Sequence, residues 1–196
     1  MGKPRSPLIL VLALLLGACA TPLPADPTVR HEPPTPTEGA VNPPASPDAT
    51  DGPAADPLLA FELVDVRSGE TFTLSELSED APVLLETMAI WCTTCLGQQR
   101  EVVTAHDLAD FHSVGIDVDP NERAPDLAAY AEREGFDWRF VVAGRELVGL
   151  LSERFGIEVT NPPSTPTFVI SDGTIRALDF GRVRSAQELV EELGAG

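Results

Sequence analysis

Eight consecutive positions, Val83 to Ile90, read Val-Leu-Leu-Glu-Thr-Met-Ala-Ile. A run so short and so apolar is the pattern of a strand covered on both faces, the kind that sits in the middle of a sheet with helical crossovers. Glu86 is its one charge. Directly after it stands Trp91-Cys92-Thr93-Thr94-Cys95, and Cys95, Val102, Ala105 and Ala109 then recur at the spacing of a buried helical stripe. Cys92 therefore falls at a helix N-terminus.

Around this unit the coarse pattern alternates. Phe61, Leu63, Val64 and Val66 predict a strand, Ser68-Gly69 a turn, and Thr71 to Leu74 a short pairing partner. Val114 to Val118 reads as a second parallel strand, Asp126 to Glu134 as a helix ended by Gly135, and Trp138 to Val142 as a further strand. A helix over Glu146 to Phe155 stops at Gly156. Thr167 to Ser171, an Asp172-Gly173 hairpin turn, Ile175 to Phe180 and a helix from about Ser185 to Leu193 complete the domain. Crossovers followed by a hairpin predict an α/β sandwich with a mixed sheet.

The 196 residues do not all belong to that domain. Residues 1–18 read as an export signal, with Lys3 and Arg5 ahead of the apolar run Leu8 to Leu16, which is too short to span a bilayer. Leu16-Gly17-Ala18-Cys19 resembles the lipobox of bacterial lipoproteins, which implies a lipid on Cys19 and an extracytoplasmic, membrane-anchored protein. Residues 19–57 are rich in Pro, Thr, Ala, Asp and Glu and cannot bury a core. As an extended linker, about 38 such residues reach up to roughly 120 Å. The folded domain is expected over residues 58–196.

Charge removes several classes of function. With 13 Lys+Arg against 31 Asp+Glu and a formal charge of -18, the chain lacks the clustered cations that nucleic acid requires. Lys3 is its only lysine, so the domain has no amine for a Schiff base. Three Cys are too few for a four-thiolate zinc site, and no metal or cofactor is expected. What remains is dithiol chemistry. Amides and the positive dipole end at a helix N-terminus acidify Cys92, while Cys95, one turn inside, is shielded. Cys92 would attack a disulfide and Cys95 would resolve the mixed disulfide. Glu86, if buried, would have its pKa raised into the range where it accepts and returns the Cys95 proton.

Strand, Trp-Cys-x-x-Cys, helix and the later Thr165-Pro166-Thr167 resemble the thioredoxin superfamily, and the tether and hairpin are most similar to its TlpA/ResA-like membrane-anchored thiol-disulfide oxidoreductases. The resemblance implies a thioredoxin-like three-layer sandwich and a cis-proline at Pro166 facing the dithiol. It also implies that the Thr165 backbone, with Trp91, docks a peptide substrate, and that Glu86 is the buried acid. Its implied partners are protein thiols or disulfides and a membrane electron donor, with the chain acting as a monomer, more in the reducing direction than the oxidising one. Three departures stand out. Thr87-Met88 replaces the Phe-Trp that usually follows the acid, no lysine pairs with Glu86, and the Thr93-Thr94 insert matches neither reducing nor strongly oxidising relatives.

Two other chemistries use the same fold. A copper chaperone of the Sco type could hold Cu(I) on the two thiolates, but that family carries Cys-x-x-x-Cys and a distant His, and no His follows His112. A peroxiredoxin needs a Thr three residues before its reactive Cys, where this chain has Ala89 or Cys92. His106 and His112 are expected to be solvated, too far along the helix to pair with Cys92.

Overall fold

The computed structural model describes residues 56–194; the signal, Cys19, His31 and nearly all of the linker lie outside them. A five-stranded sheet runs in the order β5-β4-β3-β6-β7, built from β3 (Val83–Met88), β4 (His112–Asp117), β5 (Arg139–Val142), β6 (Thr167–Ser171) and β7 (Thr174–Ala177). The first three are mutually parallel and the last two antiparallel to their neighbours. All six residues of β3 are buried, as its apolar run requires of a central strand. Two further strands, β1 (Leu63–Val64) and β2 (Thr71–Phe72), pair with each other in a separate ribbon.

Helices cover both faces, which makes three layers. On one side Leu84, Met88 and Val169 of the sheet pack with residues of α2 (Thr93–His106), α3 (Ala124–Glu134) and α5 (Ala186–Gly194). On the other, Val83, Leu85, Ile116, Phe168 and Ile170 pack with α1 (Leu74–Asp80) and α4 (Arg145–Phe155). Leu58 and Leu59 are already part of this second core, and Asp56 ties the start of the domain to Arg154.

Local chemistry explains where the expected elements shift. Leu74, expected to end a strand, begins α1, because Thr73 and Glu76 form a reciprocal capping box. Helix α3 starts two residues early, with Pro125 in its first turn where the missing N–H costs nothing. Asp172 and Gly173 both take positive φ (49° and 70°), the geometry a two-residue hairpin needs. The second hairpin strand stops at Ala177, three residues before the expected end.

The site is set by one close approach. Gly115 on β4 lies opposite Glu86 on β3 and Phe140 on β5, and the Phe140 ring occupies the space a side chain at 115 would need, 2.6 Å from an ideal Cβ. We expect Gly115→Ala to destabilise the domain by about 1–3 kcal/mol through overpacking, and Gly115→Ala with Phe140→Leu to recover most of the loss in urea denaturation. A silent Gly115→Ala would mean that the ring moves aside freely.

Candidate active site

Cys92 is the N-cap of α2, and its Sγ accepts the Cys95 backbone N–H at 3.1 Å. The two cysteines form a disulfide. Among the described residues no lysine stands near them, so a thiolate at Cys92 would depend on helix amides and the dipole end. The Cys95 sulfur lies 3.2 Å from the carbonyl oxygen of Pro162. Once reduced, a Cys95 thiol donates to that oxygen, which favours its protonated form and leaves Cys92 the more acidic of the two. Cys95 is shielded as expected, and in the disulfide Cys92 is enclosed as well, 3% and 2% exposed. Trp91, by contrast, is 56% exposed.

Glu86 comes from the middle of β3 and faces the α2 layer. It is 7% exposed and one oxygen, Oε1, meets no donor. Burial alone, with no cation to oppose it, pushes its carboxyl up to about 8. Glu86 and Cys95 line one narrow gap with Thr87, Gln98, Thr165 and Thr167. Glu86 and Cys95 thus line one gap too narrow for a water molecule.

The segment Ile157–Ser164 forms two 3-10 turns that carry the chain to Thr165 and Pro166. The Thr87 hydroxyl ties it to β3 through the Val159 carbonyl at 2.8 Å. Thr165 is buried with φ 48°, an unfavourable conformation for a β-branched residue. It is held there on three sides: its N–H donates to Pro162 O, its hydroxyl donates to Arg182 O, and its carbonyl accepts from the Thr167 hydroxyl.

Other residues escaped the sequence reading. Gln98, fully buried on α2, exchanges two hydrogen bonds with the Arg184 backbone, at 2.7 and 3.1 Å, and so fixes the helix against the loop before α5. Gln99 accepts from the Tyr130 hydroxyl, whose own ionisation is pushed up, mainly by burial. The turn after β4 grips the segment before the dithiol: the Trp91 indole donates to Asp119 and the Ile90 amide to Glu122, each at 2.7 Å. The signal for this grip was the acidic spacing Asp117-x-Asp119-x-x-Glu122 beyond a parallel strand. His106 is a correction. It is half-buried, stacked 4.0 Å from the Phe111 ring and bonded to Ser113, and burial lowers its pKa.

A scan against protein-family models and a search of curated proteins find no match. Solved structures do match. A secreted disulfide oxidoreductase of Mycobacterium tuberculosis, homologous to E. coli DsbE, is 18% identical with a TM-score of 0.56, over 72% of this chain and all of that one. A thiol:disulfide interchange protein of the thioredoxin family from Chlorobium tepidum is 23% identical with a TM-score of 0.54, over 69% of this chain and 91% of that one. BsSco, a member of the Sco family of cytochrome c oxidase assembly proteins, is 15% identical with a TM-score of 0.53, over 69% and 90%. At these identities the likeness is one of architecture: the domain has the thioredoxin-like fold.

The raised Glu86 pKa has a consequence for stability. Between its ordinary value of 4.5 and about 8 the folded protein retains a proton that the unfolded chain has lost, so this group makes stability fall as pH rises through that window. Glu86→Gln should remove the dependence. In the oxidised protein its advantage over wild type should grow by about 1.4 kcal/mol per pH unit across the window and level off above it. A pH-independent difference in denaturation midpoints would show that Glu86 is ionised throughout.

Proposed function

We propose that the protein is a thiol-disulfide oxidoreductase acting on protein substrates. The observation that carries this reading is the Cys92–Cys95 pair at the start of α2, with a helix amide on the first sulfur and a buried carboxyl sharing the gap beside the second. In the reducing direction the Cys92 thiolate attacks a substrate disulfide, forming a mixed disulfide and releasing one substrate thiolate. Cys95 gives its proton to Glu86, in the minor ionised fraction that a value of about 8 leaves near neutrality, and attacks the Cys92 sulfur. The second substrate thiolate leaves, two electrons have passed to substrate, and the Cys92–Cys95 bridge remains. A dithiol donor must then reduce that bridge.

Several finer parts of the reading rest on the sequence. An extracytoplasmic position held by lipid on Cys19 fits the signal, lipobox and linker, while the reducing direction, a membrane electron donor and a monomeric state follow from the family resemblance alone. Among the described residues no helix is long and apolar enough to cross a membrane. Trp91, next to Cys92 in sequence, Thr165, which lines the gap with Cys95, and Pro166 after it are proposed as the substrate-docking edge.

Residues 56–196 should reduce insulin with dithiothreitol as donor. Cys92→Ser should abolish turnover, and Cys95→Ser should accumulate mixed disulfides with substrate. Equal rates for wild type and Cys92→Ser would refute the enzymatic reading; tight Cu(I) binding without turnover would favour a copper carrier in its place.

A further inference from the structure

Asp117 ends β4 directly opposite Met88, the last residue of β3. It is fully buried, 0% exposed. Its Oδ1 accepts the Asp119 amide at 2.9 Å, while Oδ2 is buried and has no hydrogen-bond partner. The Glu122 carboxyl lies within hydrogen-bond reach of Asp117. The same Glu122 accepts the Ile90 amide through Oε2, and Asp119 between them holds the Trp91 indole. Two carboxyls in contact, one buried and one half-buried, repel each other when both are charged, and a proton on the buried one turns repulsion into a hydrogen bond.

We propose that Asp117 keeps a proton that it donates to Glu122, and that this proton locks the β4–α3 turn around Ile90 and Trp91, making the pair positioning residues for Cys92. The lock reaches the dithiol through two residues of backbone: Ile90 and Trp91 lead straight into Cys92, whose own amide is bonded to Ala89 O at 3.1 Å. Loss of the proton leaves two facing carboxylates, opens the turn and frees Trp91 beside the disulfide.

The electrostatic surroundings favour retention of the proton. Asp119 and Glu122, both acidic, are the charged groups acting on Asp117, and with burial they raise its carboxyl well above the usual range. The segments Met88 to Trp91 and Phe140 to Ala143, which flank it, carry no ionisable side chain. Arg123, the cation nearest in the turn, is paired with Asp126 at 2.9 Å. Asp119 does not compete for the proton, since bonds from Asn121 and Trp91 hold its carboxyl low.

This inference deepens the oxidoreductase reading and rests on it for the role of Cys92, but its first test needs no turnover. In oxidised protein the Trp91 indole N–H and Ile90 amide resonances are followed by NMR from about pH 5 to about pH 10, against model-compound carboxylates near 4. Both should move together in one transition far above the model value. The transition should persist in Glu86→Gln, which removes the other buried acid, and vanish in Asp117→Asn, whose amide donates to Glu122 at every pH. If Asp117→Asn does not fold, Glu122→Gln gives the same reading, because its amide serves both Ile90 and Asp117 and moves the midpoint down. No transition in wild type, or an unchanged midpoint in these variants, would overturn the proposal. In the insulin assay Glu122→Ala should lose about tenfold in rate and Glu122→Gln should restore it, within the up to about 100-fold that slight misplacement of a reacting group costs. Equal loss in both variants would reduce Glu122 to a structural role. A protein inert toward insulin whose resonances titrate as described keeps the lock and loses only the enzymatic reading.

Discussion

The Cys95 amide directed at the Cys92 sulfur is the contact on which the site depends. The domain has no lysine, one of the cations that commonly stabilise a thiolate, and the stabilising contact seen at Cys92 comes from the unsatisfied donors of a helix end. The fold exists around this contact in a literal sense. A wholly buried strand delivers the chain to the edge of the sheet, the helix begins at the cysteine, and Gln98 pins that helix to the loop before α5. The Pro162 carbonyl makes the pair unequal by offering the second sulfur an acceptor and the first none.

Around the dithiol are two buried acids with different neighbours. Glu86 is neutralised by isolation: Phe140 can lie across Gly115, in register with Glu86, because position 115 has no side chain. Glu86 lines the same narrow gap as Cys95. Asp117 is neutralised by company, facing other carboxyls in a turn that holds the chain just before Cys92. In the proposed mechanism one acid serves the resolving sulfur and the other the geometry of the attacking one.

Much of this was legible in the sequence because the strongest signals are local. The apolar run gave β3, the Cys-x-x-Cys after it gave the helix start, Gly135 and Gly156 marked helix ends, and Asp172-Gly173 marked the hairpin. Glu86 could be singled out because it is the only charge in the run. Less legible were residues whose polarity disguises burial. Gln98 and Gln99 interrupt the apolar stripe of α2 yet are buried, because their partners Arg184 and Tyr130 lie 86 and 31 residues away. His106 looked like a surface residue for want of knowing that Phe111 would fold back onto it. The capping box at Thr73 and Glu76 was readable and outweighs the β-like run it follows.

The central claim is that Cys92 is acidic because of the helix end, and the titration of its thiolate absorbance in Cys95→Ser tests it most directly. The account predicts half-ionisation at least about one pH unit below the ordinary cysteine value of about 8.5. Half-ionisation at or above that value would contradict it.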